Sequence, residues 1–179
     1  MKNQLFLKTM VRKVQARRVL EIGTSHGSSA LAMAEMVPED GTILTCEINA
    51  DIANLARTRL ERTPHGRKVE VRVGPALEIL PGIQGPFDLI FVDADTRNYV
   101  HYFRLALELL APTGVLLMDN TRGMTVGPVN EARDPAVAAI QDLARLIQSD
   151  SRVSAQLMDV RDGVLVVTWA AVQPSRTSA

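Results

Sequence analysis

Residues 89–96 read LIFVDADT, an apolar run that ends in two aspartates, Asp93 and Asp95. On an extended chain positions i and i+2 project to the same side, so these carboxylates repel each other unless a cation lies between them. A metal ion or a sulfonium would serve. Other apolar runs end in the same way: RVLEIG at 18–23 carries Glu21, TILTCEI at 42–48 carries Glu47, and GVLLMD at 114–119 closes on Asp119 with Asn120 behind it. Singly, each of these polar residues reads as a helix cap or a turn former. Their recurrence at the end of run after run points to one shared ligand site.

The elements that must hold them are legible from periodicity. Short β-branched or apolar runs at 18–23, 42–48, 69–74, 87–93 and 114–119 have the length and composition of buried strands. Between them lie helical patterns at 28–36, 50–60 and 99–110, with a short turn at 76–80. A first helix precedes them all, with Leu7, Met10, Val11 and Val14 at i, i+3, i+4 and i+7. This alternation predicts right-handed crossovers and an α/β, Rossmann-like, doubly wound sheet, mainly parallel, with helices on both faces. After a further helix at 135–147 come strands at 152–159 and 163–170, joined by Arg161-Asp162-Gly163. Asp-Gly is a hairpin signal, so the sheet is expected to have seven strands and to end in an antiparallel hairpin. In open parallel sheets ligands bind outside the carboxyl ends of the strands, which is where the acids fall. Residues 120–134 form a loop of about 15 residues; loops of that length tend to be functional, and this one starts at Asn120, which makes it a lid candidate. The expected organisation is a single domain over 1–170 with a disordered tail at 171–179.

Composition narrows the function classes. Lys+Arg and Asp+Glu both number 20 among 179 residues, and no basic run exceeds Arg17-Arg18, so neither nucleic acid nor a membrane surface is an expected partner. The single cysteine, Cys46, cannot close an intrachain disulfide, no apolar run is long enough to span a bilayer, and the N-terminus lacks a signal-peptide core. A cytoplasmic protein acting on small molecules is the expectation.

Gly23 and Gly27, across the turn from the first strand into the next helix, let a ligand approach the backbone and expose amides at a helix N-terminus. Their spacing is G-x-x-x-G, not the G-x-G-x-x-G of a pyrophosphate cradle, which argues against a nicotinamide-dependent oxidoreductase. Glu47, 24 residues after Gly23, is placed to accept hydrogen bonds from two ribose hydroxyls. A nucleoside without pyrophosphate fits best, and S-adenosylmethionine is such a molecule.

The chain resembles the class I S-adenosylmethionine-dependent methyltransferases, specifically the divalent-metal-dependent catechol and caffeoyl-CoA O-methyltransferase family. EIGTSHGSSALAMA resembles the family's first motif, TCEIN its acidic second motif, VGPALEIL its adenine-side loop, FVDADTRNY its central metal motif and LMDN its second metal motif, in order across residues 4–169. The resemblance implies that Glu21, Gly23, Thr24 and Ser29 hold the methionine portion of S-adenosylmethionine, Glu47 the ribose and Ala76, through its backbone, the adenine, with Asp95 also facing the cofactor. It implies that Asp93, Asp119 and Asn120 ligate a metal. Two carboxylates and an amide oxygen are a hard, oxygen-only set of the kind Mg²⁺, Mn²⁺ or Ca²⁺ prefers. It further implies a small aromatic acceptor with vicinal hydroxyls, in-line methyl transfer to oxygen, and a homodimer.

Two departures stand out. Where the family usually has a lysine that takes the proton, this chain has Thr96, followed by Arg97. Threonine is too weak a base to replace it, so metal-acidified substrate and water, oxyanion stabilisation by Arg97, or a more acidic or amine-like acceptor stand as alternatives. The family also carries a segment ahead of the first helix that contacts cofactor, substrate or partner subunit, and this sequence starts at that helix, so an open acceptor pocket, or one closed by 120–134, is expected. Of the histidines, His26 reads as a solvated or backbone-bonded loop residue that could touch the cofactor, His65 as surface, and His101 as helix surface near the acceptor side. Met118, Met124 and Trp169 read as packing. The alternatives to the leading reading are a same-fold methyltransferase with another acceptor and no metal, and a non-catalytic cofactor-binding module.

Overall fold

The computed structural model describes residues 2–122, 135–160 and 162–171. Along the chain run α1 (Lys2–Lys13), β1 (Arg18–Ile22), α2 (Ser28–Ala34), β2 (Thr42–Glu47), α3 (Ala50–Glu61), β3 (Val69–Val73), α4 (Ala76–Ile79), β4 (Phe87–Val92), α5 (Tyr99–Leu109), β5 (Leu110–Met118), α6 (Pro135–Ser149), β6 (Val153–Met158) and β7 (Val164–Trp169). The strands form one seven-stranded sheet in the order β3-β2-β1-β4-β5-β7-β6. β1 to β5 pair in parallel, and β7 is antiparallel to both of its neighbours. The expected Rossmann-like sheet and its closing hairpin are both present.

Period-2 alternation divides the core into two layers. Leu20, Ile22, Ile90, Val92, Leu116 and Met118 point to the face covered by Tyr99, Phe103 and Ala106 of α5 and Leu143 and Ile147 of α6. Val19, Leu89, Phe91, Val115 and Leu117 point to the other, against Leu7, Met10 and Val11 of α1 and Ala30 and Met33 of α2. Strands buried on both faces must be apolar throughout, which explains why their polar residues collect at the ends. β5 begins earlier than its sequence suggests, because Leu110 pairs with Phe87 before the register shifts to Leu89 opposite Val115.

The chain leaves β1 toward β2 and returns to β4 on the opposite side, so the strand order reverses between β1 and β4. A crevice opens at such a reversal, outside the carboxyl ends. The lid candidate falls largely outside the described residues, as do Met124 and the tail from 172 onward.

Candidate active site

Gly23 follows β1 at φ 99°, and its N–H donates to Cys46 O at 3.0 Å. A Cβ there would lie 2.0 Å from Asp93 O, so the tips of β1 and β4 touch at a point where only glycine fits. Around this contact lies a cavity of about 350 Å³, bounded by Gly23, Glu47, Ile48, Ala76, Asp93, Asp95 and Tyr102 among others. Small-molecule sites run from roughly 300 to 1,000 Å³.

Each acid of the rim is held by its neighbours. Glu47, at the end of β2, is 8% exposed; its Oε2 accepts from Ser25 N at 2.8 Å and its Oε1 from Asn49 N at 3.0 Å. A carboxylate has about four lone-pair sites, so both oxygens retain capacity for a ligand's hydroxyls. Asp95 accepts from Tyr102 Oη through Oδ1 and from Asn98 Nδ2 through Oδ2, each at 2.6 Å. Burial, together with this bond to Asp95, pushes the Tyr102 phenol well above its ordinary pKa, so it is a permanent donor.

Glu21 and Thr24 stand behind the cavity and not in its wall. Both are fully buried and linked through β2: Thr45 Oγ1 donates to Glu21 Oε2 at 2.6 Å and lies 2.6 Å from Thr24 Oγ1. Glu21 Oε1 is buried with no hydrogen-bond partner among the described residues. Burial lifts this carboxyl from 4.5 to about 7; Ser29 and Thr45 pull it down, and Asp93 and Glu47 raise it further. Ser29 lies on the first turn of α2.

Asp93 also meets Asp119 and Asn120, which follow β5. Asn120 Nδ2 donates to Asp93 Oδ1 at 3.0 Å, and Asn120 N donates to Asp119 Oδ1 at 2.9 Å. Asp119 is fully buried, and its carbonyl accepts from Tyr99 Oη at 2.9 Å. Asn120 adopts φ 57°, a left-handed conformation that asparagine tolerates. It is fixed from behind, where Thr121 donates through both N and Oγ1 to Gly163 O at 3.0 Å, in the turn between β6 and β7. Among the described residues no three His, Cys, Asp or Glu side chains form a metal-binding group; the set brought together is two carboxylates and an amide.

Thr96 and Arg97 open the 3₁₀ turn Thr96–Asn98 beyond Asp95 and are not part of the cavity wall. His26 is exposed, with Nδ1 3.1 Å from Ser25 Oγ. His101 is exposed on α5, and His65 is half-buried at the start of a 3₁₀ turn, less exposed than the sequence suggests. Met118 is core, and Trp169 is partly buried with Nε1 donating to Ala111 O at 3.0 Å.

Sequence reasoning missed Tyr102 and Ile48. Tyr102 sits within an apolar helical stripe and reads as packing; Ile48 is 71% exposed beside the cavity, an apolar residue where a turn former would be expected. A larger hollow of about 560 Å³ lies at the amino ends of the strands, lined by Arg18, Arg67, Lys68 and Arg72. Those cations are already engaged by carbonyls or carboxylates, and none of the acids described above reaches it.

A model of the O-methyltransferase family matches residues 1–169. Caffeoyl-CoA O-methyltransferase 1 of Arabidopsis thaliana is 33% identical over 173 residues, covering 90% of this chain and 67% of its own length. The catechol O-methyltransferase of Niastella koreensis is 32% identical over 161 residues, covering 87% of this chain and 72% of its own. Among solved structures, the O-methyltransferase TomG of Streptomyces achromogenes, involved in tomaymycin synthesis and solved in complex with SAM, superposes with a TM-score of 0.87 at 32% identity, over 94% of this chain and 80% of that one. The chain spans about two thirds of the length of the curated relatives it matches.

Proposed function

The chain belongs to the O-methyltransferase family, and we propose that it transfers the methyl group of S-adenosylmethionine to one hydroxyl of a small aromatic vicinal diol held on a divalent metal ion. The observation that carries this reading is the double position of Asp93. It lines the nucleoside-sized cavity and is also hydrogen-bonded to Asn120, next to Asp119. A methyl donor in the cavity and an acceptor held by Asp93, Asp119 and Asn120 would therefore meet at one residue, as an in-line displacement requires.

The residues fit both groups. Toward the cofactor, Glu47 offers two backbone-anchored oxygens suited to a pair of ribose hydroxyls, and Glu21, behind the wall, holds through Thr45 the turn at Thr24 that the amino-acid end would meet. Gly23 and Thr24 supply the turn beneath it, Ser29 the adjoining hydroxyl, Ala76 the backbone at the adenine end, and Asp95 a carboxylate fixed by Tyr102. Bound there, S-adenosylmethionine supplies an electrophilic methyl group on a sulfonium.

Toward the metal, Asp93, Asp119 and Asn120 give an all-oxygen set suited to Mg²⁺, and to Mn²⁺ or Ca²⁺ as substitutes. When bound, such an ion supplies Lewis acidity that lowers the pKa of a coordinated hydroxyl. The chain's part is orientation. Tyr99 and Thr121 fix the backbone on either side of Asn120, while the amide of Asn120 steers Asp93. We take the acting form to be a homodimer.

The test is methylation of a panel of catechols and phenols with labelled S-adenosylmethionine, with added Mg²⁺ and with chelator, for the native chain and Asp119→Asn. The reading expects catechol methylation that chelator abolishes and that falls at least about 10³-fold in the variant. Activity indifferent to chelator would remove the metal from the reading, and turnover of amines or isolated hydroxyls alone would replace the acceptor.

A further inference from the structure

The charged residues that line the cavity, Glu47, Asp93 and Asp95, are all acidic, and the chain that follows them turns basic. Asp95 and Asn98 are one 3₁₀ turn apart and both line the cofactor cavity. A 3₁₀ helix has three residues per turn, so Thr96 and Arg97, between them, project to the other sides of the turn. Residues 96–107 contain no carboxylate, while Arg97, His101 and Arg104 are all exposed along them. Among the described residues Arg97 makes no ion pair, in contrast to Arg72, Arg122 and Arg152, each of which faces an aspartate or glutamate. The turn is held from one side by Asn98 and Tyr102 through Asp95 and begins three residues after Asp93.

We propose that Arg97 is a specificity-determining residue of the acceptor site and selects aromatic vicinal diols that carry an anionic substituent, a carboxylate being the smallest. This rests on the methyltransferase reading above. The physical basis is a guanidinium that makes no ion pair among the described residues, four residues beyond Asp93, on the turn that follows three carboxylates, each of which would repel an anion. Guanidinium binds carboxylate through paired, charge-assisted hydrogen bonds, and its fixed fork imposes direction as well as attraction. An acidic acceptor held at Asp93, Asp119 and Asn120 by its hydroxyls would gain a second, distant anchor. A neutral catechol would have only the first.

The experiment compares catechol with 3,4-dihydroxybenzoate as acceptors, at saturating S-adenosylmethionine and Mg²⁺, for the native chain, Arg97→Gln and Arg97→Lys. The native chain should favour the acid in kcat/KM by about tenfold at low salt, with most of the difference in KM, and the preference should shrink as ionic strength rises. Arg97→Gln should erase the preference, and Arg97→Lys should restore part of it. Arg97 is exposed, so thermal unfolding of both variants should match the native chain. Methylation of catechol without preference for the acid would overturn this proposal and leave the methyltransferase reading intact. An equal fall in kcat for both acceptors in Arg97→Gln would also overturn it, in favour of a role at the reacting oxygen. Methylation of neither acceptor would overturn the underlying reading and this one with it.

Discussion

Replacing Gly23 by alanine should damage both stability and activity, and the structure sets the size of each effect. The added Cβ would lie 2.0 Å from Asp93 O and 2.8 Å from Asp93 C, distances that real Cβ atoms do not show. The tips of β1 and β4 would have to part by about 1 Å, as in an overpacked core, at about 1–3 kcal/mol. An L-residue at φ 99° adds about 1–2 kcal/mol of backbone strain. Together these give about 2–5 kcal/mol, which in a domain of this size lowers Tm by roughly 5–15 °C. Because Asp93 lines the cavity and is bonded to Asn120, a displacement of this size should also cost about 10²-fold in kcat/KM. Thermal unfolding and methyl-transfer kinetics read the two effects separately. Gly82→Ala is the control, since a Cβ there meets nothing within 4 Å and should leave both readouts near native. If Gly23→Ala unfolds within about 2 °C of the native chain and retains its affinity for S-adenosylmethionine, the strand tips do not meet as described and the placement of the site is wrong.

Glu47→Gln should weaken S-adenosylmethionine binding by about 10²-fold in calorimetry, the loss expected when two charge-assisted hydrogen bonds become neutral ones; a change under threefold would remove Glu47 from the ribose site. The Glu21 carboxyl, raised from 4.5 in the unfolded chain to about 7 in the fold, should make the ligand-free protein less stable as pH rises. The folded state binds the extra proton between these values, so this contribution, at most about 3 kcal/mol, is fully present below pH 4.5 and lost as pH passes 7. Tm measured across that window should fall more steeply for the native chain than for Glu21→Gln, and parallel curves would contradict the assignment. Thr96→Lys should raise kcat/KM for catechol at neutral pH by about tenfold or more and shift the rate profile to lower pH. An unchanged rate and profile would show that position 96 has no part in proton transfer.

The architecture was legible because its signals are local. Strands buried on both faces spell themselves as continuous apolar runs, and in such runs an acid can survive only at the end, which is why Glu47, Asp93, Asp95 and Asp119 stood out. Glu21 was legible as an acid near a strand end but not as a residue behind the cavity. It lies one position inside β1, and only the pairing of β1 with β2 brings Thr45 opposite it. Tyr102 was hidden by its own helix: with Tyr99, Phe103 and Ala106 it completes an i, i+3, i+4, i+7 stripe, and its hydroxyl reaches Asp95 only because the Thr96–Asn98 turn brings that carboxylate back over α5. The hydrophobic pattern accounts for the ring and says nothing of the oxygen.

The closing hairpin shows how a feature with a purely topological signature acquires a role at the site. Asp162-Gly163 reads as a turn between two strands, and Gly163 does adopt φ 85° there. The same glycine also packs against the chain that leaves β5, where a Cβ would lie 2.7 Å from Arg122 N. Its carbonyl takes both donors of Thr121, and Asp162 O takes Arg122 N at 2.8 Å. Three residues after Met118 the backbone is therefore clamped, and Asn120, between that clamp and the Tyr99 bond to Asp119, adopts a left-handed conformation. The geometry that aims the Asn120 amide at Asp93 is thus set by a contact 42 residues away. A local motif such as LMDN can mark where a ligand set lies; the direction of its last member is decided by the strand that pairs beside it.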